Sequence, residues 1–324
     1  MRYYMGYLLL VIGFATISGC KKDSAVQKPP ADPLDVRVSG YIYSDYNWNS
    51  DLKTDLSLLT DLNLAFINPD TEGEFPLNEQ VEEVIARAHA KNVRVYASIG
   101  GGSAPPHFKS LLEDDSRTDL ISNLSALVDD YDFDGIDVDL EGDFITADYA
   151  DFISELSSVL KSKDKLMTAA LATWNGNVLH DSTLAKFDYI NVMSYDATGV
   201  WDPANPGPHS PFEMAQNDAK YYIQQRNIPA AKILVGLPFY GYIFENGAAS
   251  YMDFRNIVSA YPGAENKDMV ETAAGGKIYY NGIPTIQKKV QLAADLKAAG
   301  VMIWELTYDA PGDKSLLKAI NDLR

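Results

Sequence analysis

Phe133-Asp134-Gly135-Ile136-Asp137-Val138-Asp139-Leu140-Glu141 decides the fold of this 324-residue chain. The stretch alternates: Asp137, Asp139 and Glu141 fall two apart, with Val138 and Leu140 between them and Ile136 before. Side chains two apart on a β-strand share a face, so the carboxylates point one way and the branched apolar groups the other. A strand with one face in solvent explains such a pattern without any function. A strand covered on both faces does not, because a buried, unpaired carboxylate costs several kcal/mol or takes up a proton. The meaning of the acidic face therefore depends on the architecture around it.

On either side, short β-branched or apolar runs alternate with amphipathic segments. Strands are expected at 36–43, 62–67, 93–99, 135–140, 166–173, 189–194, 233–238 and 301–306, and helices at 78–90, 117–130, 148–161, 211–226 and 285–299. In the first helix Val81, Val84, Ile85 and Ala88 recur at helical spacing, with Glu82, Glu83 and Arg87 off that face. Eight strands, each followed by a helix or a helix-sized gap, predict an α/β fold, the (β/α)8 TIM barrel. An open doubly wound sheet competes, but it would carry a Gly-rich phosphate turn after its first strand. Here that segment is Ser44-Asp45-Tyr46-Asn47-Trp48-Asn49. In a barrel both faces of each strand are buried, one by the lumen and one by the helix ring. Asp137, Asp139 and Glu141 are then expected in the lumen, with Glu141 at the carboxyl end of the fourth strand, where barrel enzymes hold their active sites.

A hydrophobic content of 46% is ample for one large core, and 27 basic against 45 acidic residues give a formal net charge of −18. Such a surface repels phosphates, so no nucleic acid partner is expected. Arg2 gives a thin positive start, residues 8–15 are an apolar run too short to span a bilayer, and Ile17-Ser18-Gly19-Cys20 follows. This arrangement resembles a bacterial lipoprotein signal. The resemblance implies a signal peptide over 1–19, lipid on Cys20, and a membrane anchor in a bacterial cell envelope, at the outer membrane or cell surface. Several acyl chains on one residue hold stably where a single chain holds marginally. Cys20 is also the only cysteine, so no disulfide can form within one molecule. Residues 20–35, with Pro29-Pro30 and Pro33, read as an extended tether, leaving 36–324 as the folded domain.

Further signals sit at the ends of successive strands. The third ends Ser98-Ile99-Gly100-Gly101, the sixth Met193-Ser194-Tyr195-Asp196, and the seventh runs through Gly236-Leu237-Pro238-Phe239-Tyr240-Gly241. Trp304 stands near the end of the eighth, and the fourth carries Asp134, Asp137, Asp139 and Glu141 as Asp-x-x-Asp-x-Asp-x-Glu. In this order the motifs make the chain resemble glycoside hydrolase family 18, the chitinases and endo-β-N-acetylglucosaminidases, from the first strand to the last.

The resemblance implies a retaining glycoside hydrolase that cleaves β-1,4 N-acetylglucosamine linkages by substrate-assisted catalysis, through an oxazolinium intermediate. It makes Glu141 the acid and then the base. Asp139 would orient the acetamido group and share a proton with Asp137, and Tyr195 would hold the acetamido oxygen. Trp304 would form an apolar floor under the sugar, with Asp196 in the wall of the site. Met193, Tyr240, Ser98 and Gly101 are further candidates for the substrate-binding region, Ser98 and Gly101 more as support or tight turn than as participants. Asp134, on the opposite parity, reads as structural. Trp48, Trp174 and Trp201 follow strands one, five and six and are candidate sugar platforms. No cofactor is implied. His89, His107, His180 and His209 lack metal-ligand spacing and read as surface histidines. Residues 243–283 show little sheet pattern and read as a reduced insertion or lid-like loop between strands seven and eight, which favours a shallow, open groove. The expected partner is an N-acetylglucosamine-containing glycan, and the expected state a monomer. Two other readings stay open: an enzyme acting on N-glycan cores, and a non-catalytic glycan-binding lipoprotein, against which the intact Glu141 counts.

Overall fold

Alternate residues of eight parallel strands enter two different cores. The computed structural model describes residues 1–3, 33–43, 53–77 and 79–324. Cys20, the rest of the expected signal peptide beyond residue 3, the tether up to residue 32, and Trp48 lie outside the described residues. The barrel strands are β1 (Arg37–Tyr43), β2 (Asp61–Ala65), β3 (Arg94–Gly100), β4 (Gly135–Asp139), β5 (Leu166–Leu171), β6 (Tyr189–Val192), β7 (Ile233–Pro238) and, last in the chain, β12 (Gly300–Trp304). They close in the order β1-β12-β7-β6-β5-β4-β3-β2, each pair parallel. This is the expected TIM barrel.

The outward residues of β4, Ile136 and Val138, join Val95, Ala97, Ile99, Met167, Ala169 and the apolar faces of the helices in one continuous core. Burying an aliphatic side chain of this kind contributes about 1.5–3 kcal/mol, which fixes the strand's facing. The inward face is different in kind. Ser39, Asn63, Ser98, Asp137, Thr168 and Asn191 are all buried, and all sit at inward positions. Aliphatic layers fill most barrels of this type; here polar groups satisfy one another in the lumen.

Helices at 79–89, 114–130, 149–162, 212–220 and 283–295 agree with the expected ones, apart from their ends. The second begins one turn earlier than read, with Asp114 and Asp115 in its first turn, where the positive end of the helix dipole favours carboxylates. The fourth gives way to a π turn over Tyr221–Gln225.

Asp134 stands just before β4, away from the lumen row. It accepts from the Val95 amide at 2.7 Å and meets His89 Nε2 at 2.9 Å, binding the foot of β4 to β3 and to the first helix. His89 is thus half-buried and paired, not a free surface histidine.

Of the two readings of 243–283, a reduced insertion or a lid-like loop, the structure shows an insertion, and the lack of sheet pattern read there is corrected. β8 (Tyr240–Glu245), β9 (Ala248–Asp253), β10 (Met269–Glu271) and β11 (Lys277–Tyr279) form an antiparallel sheet in the order β10-β11-β8-β9, with a helix at Phe254–Ala260. The signal was Asn246-Gly247, whose positive φ values of 53° and 76° fit a two-residue hairpin turn. Strands β10 and β11, three residues each, are too short to show a period.

Candidate active site

Asp137 is fully buried in the lumen and saturated with donors. Tyr41 Oη gives to it at 2.8 Å, Ser98 Oγ at 2.7 Å, Thr168 Oγ1 at 2.5 Å and Asn191 Nδ2 at 3.1 Å. Ser98 and Thr168 are its register partners on β3 and β5. Burial raises the Asp137 pKa, and these four donors pull against it.

Asp139, two residues higher, has a contrasting environment. Only 4% of it is exposed, and its buried Oδ1 has no hydrogen-bond partner. Its pKa is raised well above the carboxylate range, first by burial and then by the charges of Glu141 and Asp137. Beneath it, Gly100 and Gly101 take φ values of +105° and +84°. A Cβ on Gly100 would fall 2.3 Å from the Asp139 carbonyl oxygen, and one on Gly101 would fall 2.4 Å from the Phe66 ring. Glycine is required at both positions, and the Gly101 amide donates to the Asp139 carbonyl at 2.7 Å.

Glu141 follows β4 and faces a cavity of about 360 Å³, lined also by Ala172, Trp174, Met193, Tyr195, Asp196 and Trp201. Its pKa is pushed up to about 7, by burial first and by the charge of Asp196 second. At neutral pH it can therefore give a proton or take one. Tyr195 stays a neutral hydroxyl: burial and the charges of Asp139, Asp196 and Glu141 raise its pKa well above the usual value. Its hydroxyl meets Met302 Sδ at 3.9 Å, a weak acceptor. Trp304 packs on Phe66, stacked with centroids 5.6 Å apart, and on Tyr41 at 5.5 Å. Trp174 and Trp201 expose 58% and 57% of their surface at the cavity rim, an unusual exposure that suits a ligand platform. A larger hollow of about 580 Å³, on the outer ring between helices 114–130 and 149–162, is lined half by serines and has no buried titratable group.

The chain belongs to the glycosyl hydrolases family 18. The family's model matches residues 37–309, the whole barrel. A family 18 chitinase, ChiB, from the chitin utilization locus of Flavobacterium johnsoniae is 34% identical, with a TM-score of 0.82, over 90% of this chain and 94% of that one. A chitinase from Bacteroides thetaiotaomicron is 29% identical, with a TM-score of 0.77, over 90% and 96%. Endochitinase 1 of Metarhizium robertsii is 27% identical over 272 residues, 70% of this chain and 64% of that relative. The chain thus spans somewhat under two thirds of the length of that relative.

In this family 18 barrel, the expected site residues fall in two layers. Glu141, Tyr195, Asp196 and Met193 line the cavity. Ser98, Gly101 and Tyr240 lie behind it: Ser98 is fully buried on Asp137, and Tyr240, 4% exposed, gives its hydroxyl to Asp196 at 2.6 Å. Tyr240 therefore supports the wall instead of presenting a surface to sugar.

His209 is a second correction to the histidine reading. It is fully buried, and its Nδ1 lies 3.3 Å from Asp196 Oδ1. Tyr41, Thr168, Asn191 and Tyr242, which the motifs do not mark, also contact the acidic centre or its wall. A signal for the first three was available: each is a polar group at an inward position on a strand whose outward positions are apolar. Among the described residues no three metal-ligating side chains converge.

Proposed function

We propose that this family 18 member is a retaining chitinase-type hydrolase that cleaves β-1,4 bonds between N-acetylglucosamine residues with help from the substrate's own acetamido group. The supporting observation is the pairing of a proton donor poised near neutrality, Glu141, with a buried carboxylate, Asp139, whose Oδ1 lacks a partner. An acetamido N–H is the kind of donor such an oxygen accepts. Glu141 gives its proton to the glycosidic oxygen as the acetamido carbonyl oxygen attacks the anomeric carbon and the C–O bond to the leaving sugar breaks. Asp139 accepts from the acetamido N–H and stabilises the positive oxazolinium; Tyr195 donates to the acetamido oxygen and aligns it. Glu141, now a carboxylate, takes a proton from water as that water attacks the anomeric carbon and reopens the ring. Two displacements leave the configuration retained. Asp137 shares the excess proton of the acidic row with Asp139.

Chitin fragments are favoured over N-glycan cores because the relatives at 34% and 29% identity are chitinases by name. Anchoring through lipid on Cys20 in a bacterial envelope, with the barrel acting as a monomer, completes the proposal. Its support is the run Ile17-Ser18-Gly19-Cys20 after an apolar stretch. The test is hydrolysis of chitotetraose and of an Asn-linked glycopeptide by the protein and by Glu141→Gln, with product anomers read by NMR. Release of β-configured chitobiose, lost in the variant, is the expected result. Cleavage of the glycopeptide alone would move the substrate to N-glycans, and binding without cleavage of either would make the barrel a lectin.

A further inference from the structure

The imidazole of His209 is fully buried, with acceptors at both of its nitrogens. Nε2 lies 3.2 Å from the backbone oxygen of Tyr240, and Nδ1 lies 3.3 Å from Oδ1 of Asp196. A carbonyl oxygen has no proton to give, so the first contact needs a proton on Nε2. A neutral ring would then turn a bare Nδ1 lone pair toward Asp196 Oδ1. That oxygen already accepts from Tyr240 Oη at 2.6 Å and from Tyr242 Oη at 3.1 Å. Two lone pairs would face each other on the side of Asp196 that meets the fully buried ring, where low polarisability makes the conflict costly. One more proton, on Nδ1, removes it.

We propose that His209 is a buried imidazolium that holds Asp196 in the active-site wall as its counter-ion, and so sets the pH range over which Glu141 works. The effect on Glu141 rests on reading that residue as the proton donor; the charge on His209 does not. Asp196 is a residue that needs holding. Its φ of +64° is left-handed, and its side chain is 37% exposed. The loop it begins is closed at the neck by the Ala197 amide, which donates to the His209 carbonyl at 2.9 Å, and by Ser210 Oγ, which donates to the Ser194 carbonyl at 2.6 Å. Lys289, fully buried on helix 283–295, secures the same neck by donating to Ser210 O at 2.8 Å and to Ser210 Oγ and Asn281 Oδ1 at 2.7 Å each.

The titratable groups facing the ring are Asp196 from the loop after β6 and Tyr240 and Tyr242 from β8, whose rings lie 4.9 and 5.0 Å away. Beyond Ser210 stands Lys289, lowered by burial to about 7, with Asp268, Asp218 and Glu213 as its charged neighbours. A cation on His209 makes the His209–Asp196 pair neutral as a whole, which weakens the negative field that Asp196 exerts on Glu141. Removing that cation leaves Asp196 uncompensated. Glu141 then keeps its proton to higher pH.

The experiment is ¹⁵N NMR of the histidine rings in the unliganded protein, with His209→Gln identifying the His209 signals among the four histidines of the chain. Protonated signatures on both nitrogens at pH 7.5 are expected. A single-proton neutral ring at that pH, or titration at the ordinary value of about 6.5, would overturn the proposal. The second reading is the pH profile of kcat/KM on chitotetraose. In folded His209→Gln the basic limb should move up by roughly half a unit to one unit; an unmoved limb would refute the control of Glu141. If the variant fails to fold, His89→Gln, His107→Gln and His180→Gln assign the other three rings, and the remaining signal in the native spectrum decides. An inactive native protein would sink the chitinase reading and leave the ring's charge to be judged from the spectrum.

Discussion

At the amino-terminal end of the barrel Asp61 lies against two guanidiniums, Arg37 at 2.5 Å and Arg94 at 3.0 Å, while at the carboxyl-terminal end Asp137, Asp139 and Glu141 meet hydroxyls, amides and one another. Burial raises the Asp61 pKa, and the Arg37 guanidinium beside it is the first of the groups that pull against that rise. Both guanidiniums also stack over the Tyr189 ring, at 4.8 and 5.5 Å. Nothing of this kind offsets Asp139, whose burial and negative neighbours all act in the same direction. The contrast separates a carboxylate paired with cations at one end of the barrel from carboxylates left without cations at the other, where the proposed chemistry lies. A protein built for stability alone would pair both ends.

The sharpest way to break this comparison is at Glu141. Glu141→Gln removes the proposed proton donor while keeping shape and hydrogen bonding, so kcat/KM should fall by about 10³-fold or more with the fold intact. Retained turnover would move the acid elsewhere. The pH profile comes next in size. With a pKa of about 7, Glu141 loses its proton as pH rises through that value, and kcat/KM should fall with it about tenfold per unit above. A rate flat to pH 9 would contradict Glu141 as the donor. The smallest effect is at Ser98→Ala, which removes one of four donors to Asp137; a loss of about 1 kcal/mol in unfolding free energy and a change in kcat below tenfold are expected. A collapse of activity there would mean that Asp137 does more than carry charge.

Much of this architecture is legible in the amino-acid sequence. The alternation across 136–141 fixes which side chains face the lumen, because strand parity is a local property, and strand order follows from eight successive βα units. What stays hidden depends on distance along the chain. Tyr41 and Asn191 reach Asp137 from 96 and 54 residues away, and no local pattern carries that contact. His209 reads as a surface residue because a loop position says nothing of the β8 tyrosines that cover it. The sheet of the insertion escapes the sequence pattern because two of its four strands are three residues long, although Asn246-Gly247 marks the β8–β9 hairpin.

The most direct measurement compares Asp139→Asn with Asp61→Asn in unfolding free energy and kcat/KM across pH. The Asp139 pKa is raised in the fold above its unfolded value near 4, so its contribution to stability is full below about pH 4 and lost as pH rises through the folded value. Asp139→Asn should therefore be the more stable protein at pH 8, by a margin that shrinks toward pH 4, and have almost no activity. Asp61→Asn leaves two guanidiniums without a counter-ion; since their side chains are 26% and 31% exposed, a loss of about 2 kcal/mol is expected, with kcat/KM of the folded protein unchanged. Stability shifts of the same sign in both variants, or an active Asp139→Asn, would contradict the division of the barrel into a stabilising end and a catalytic one.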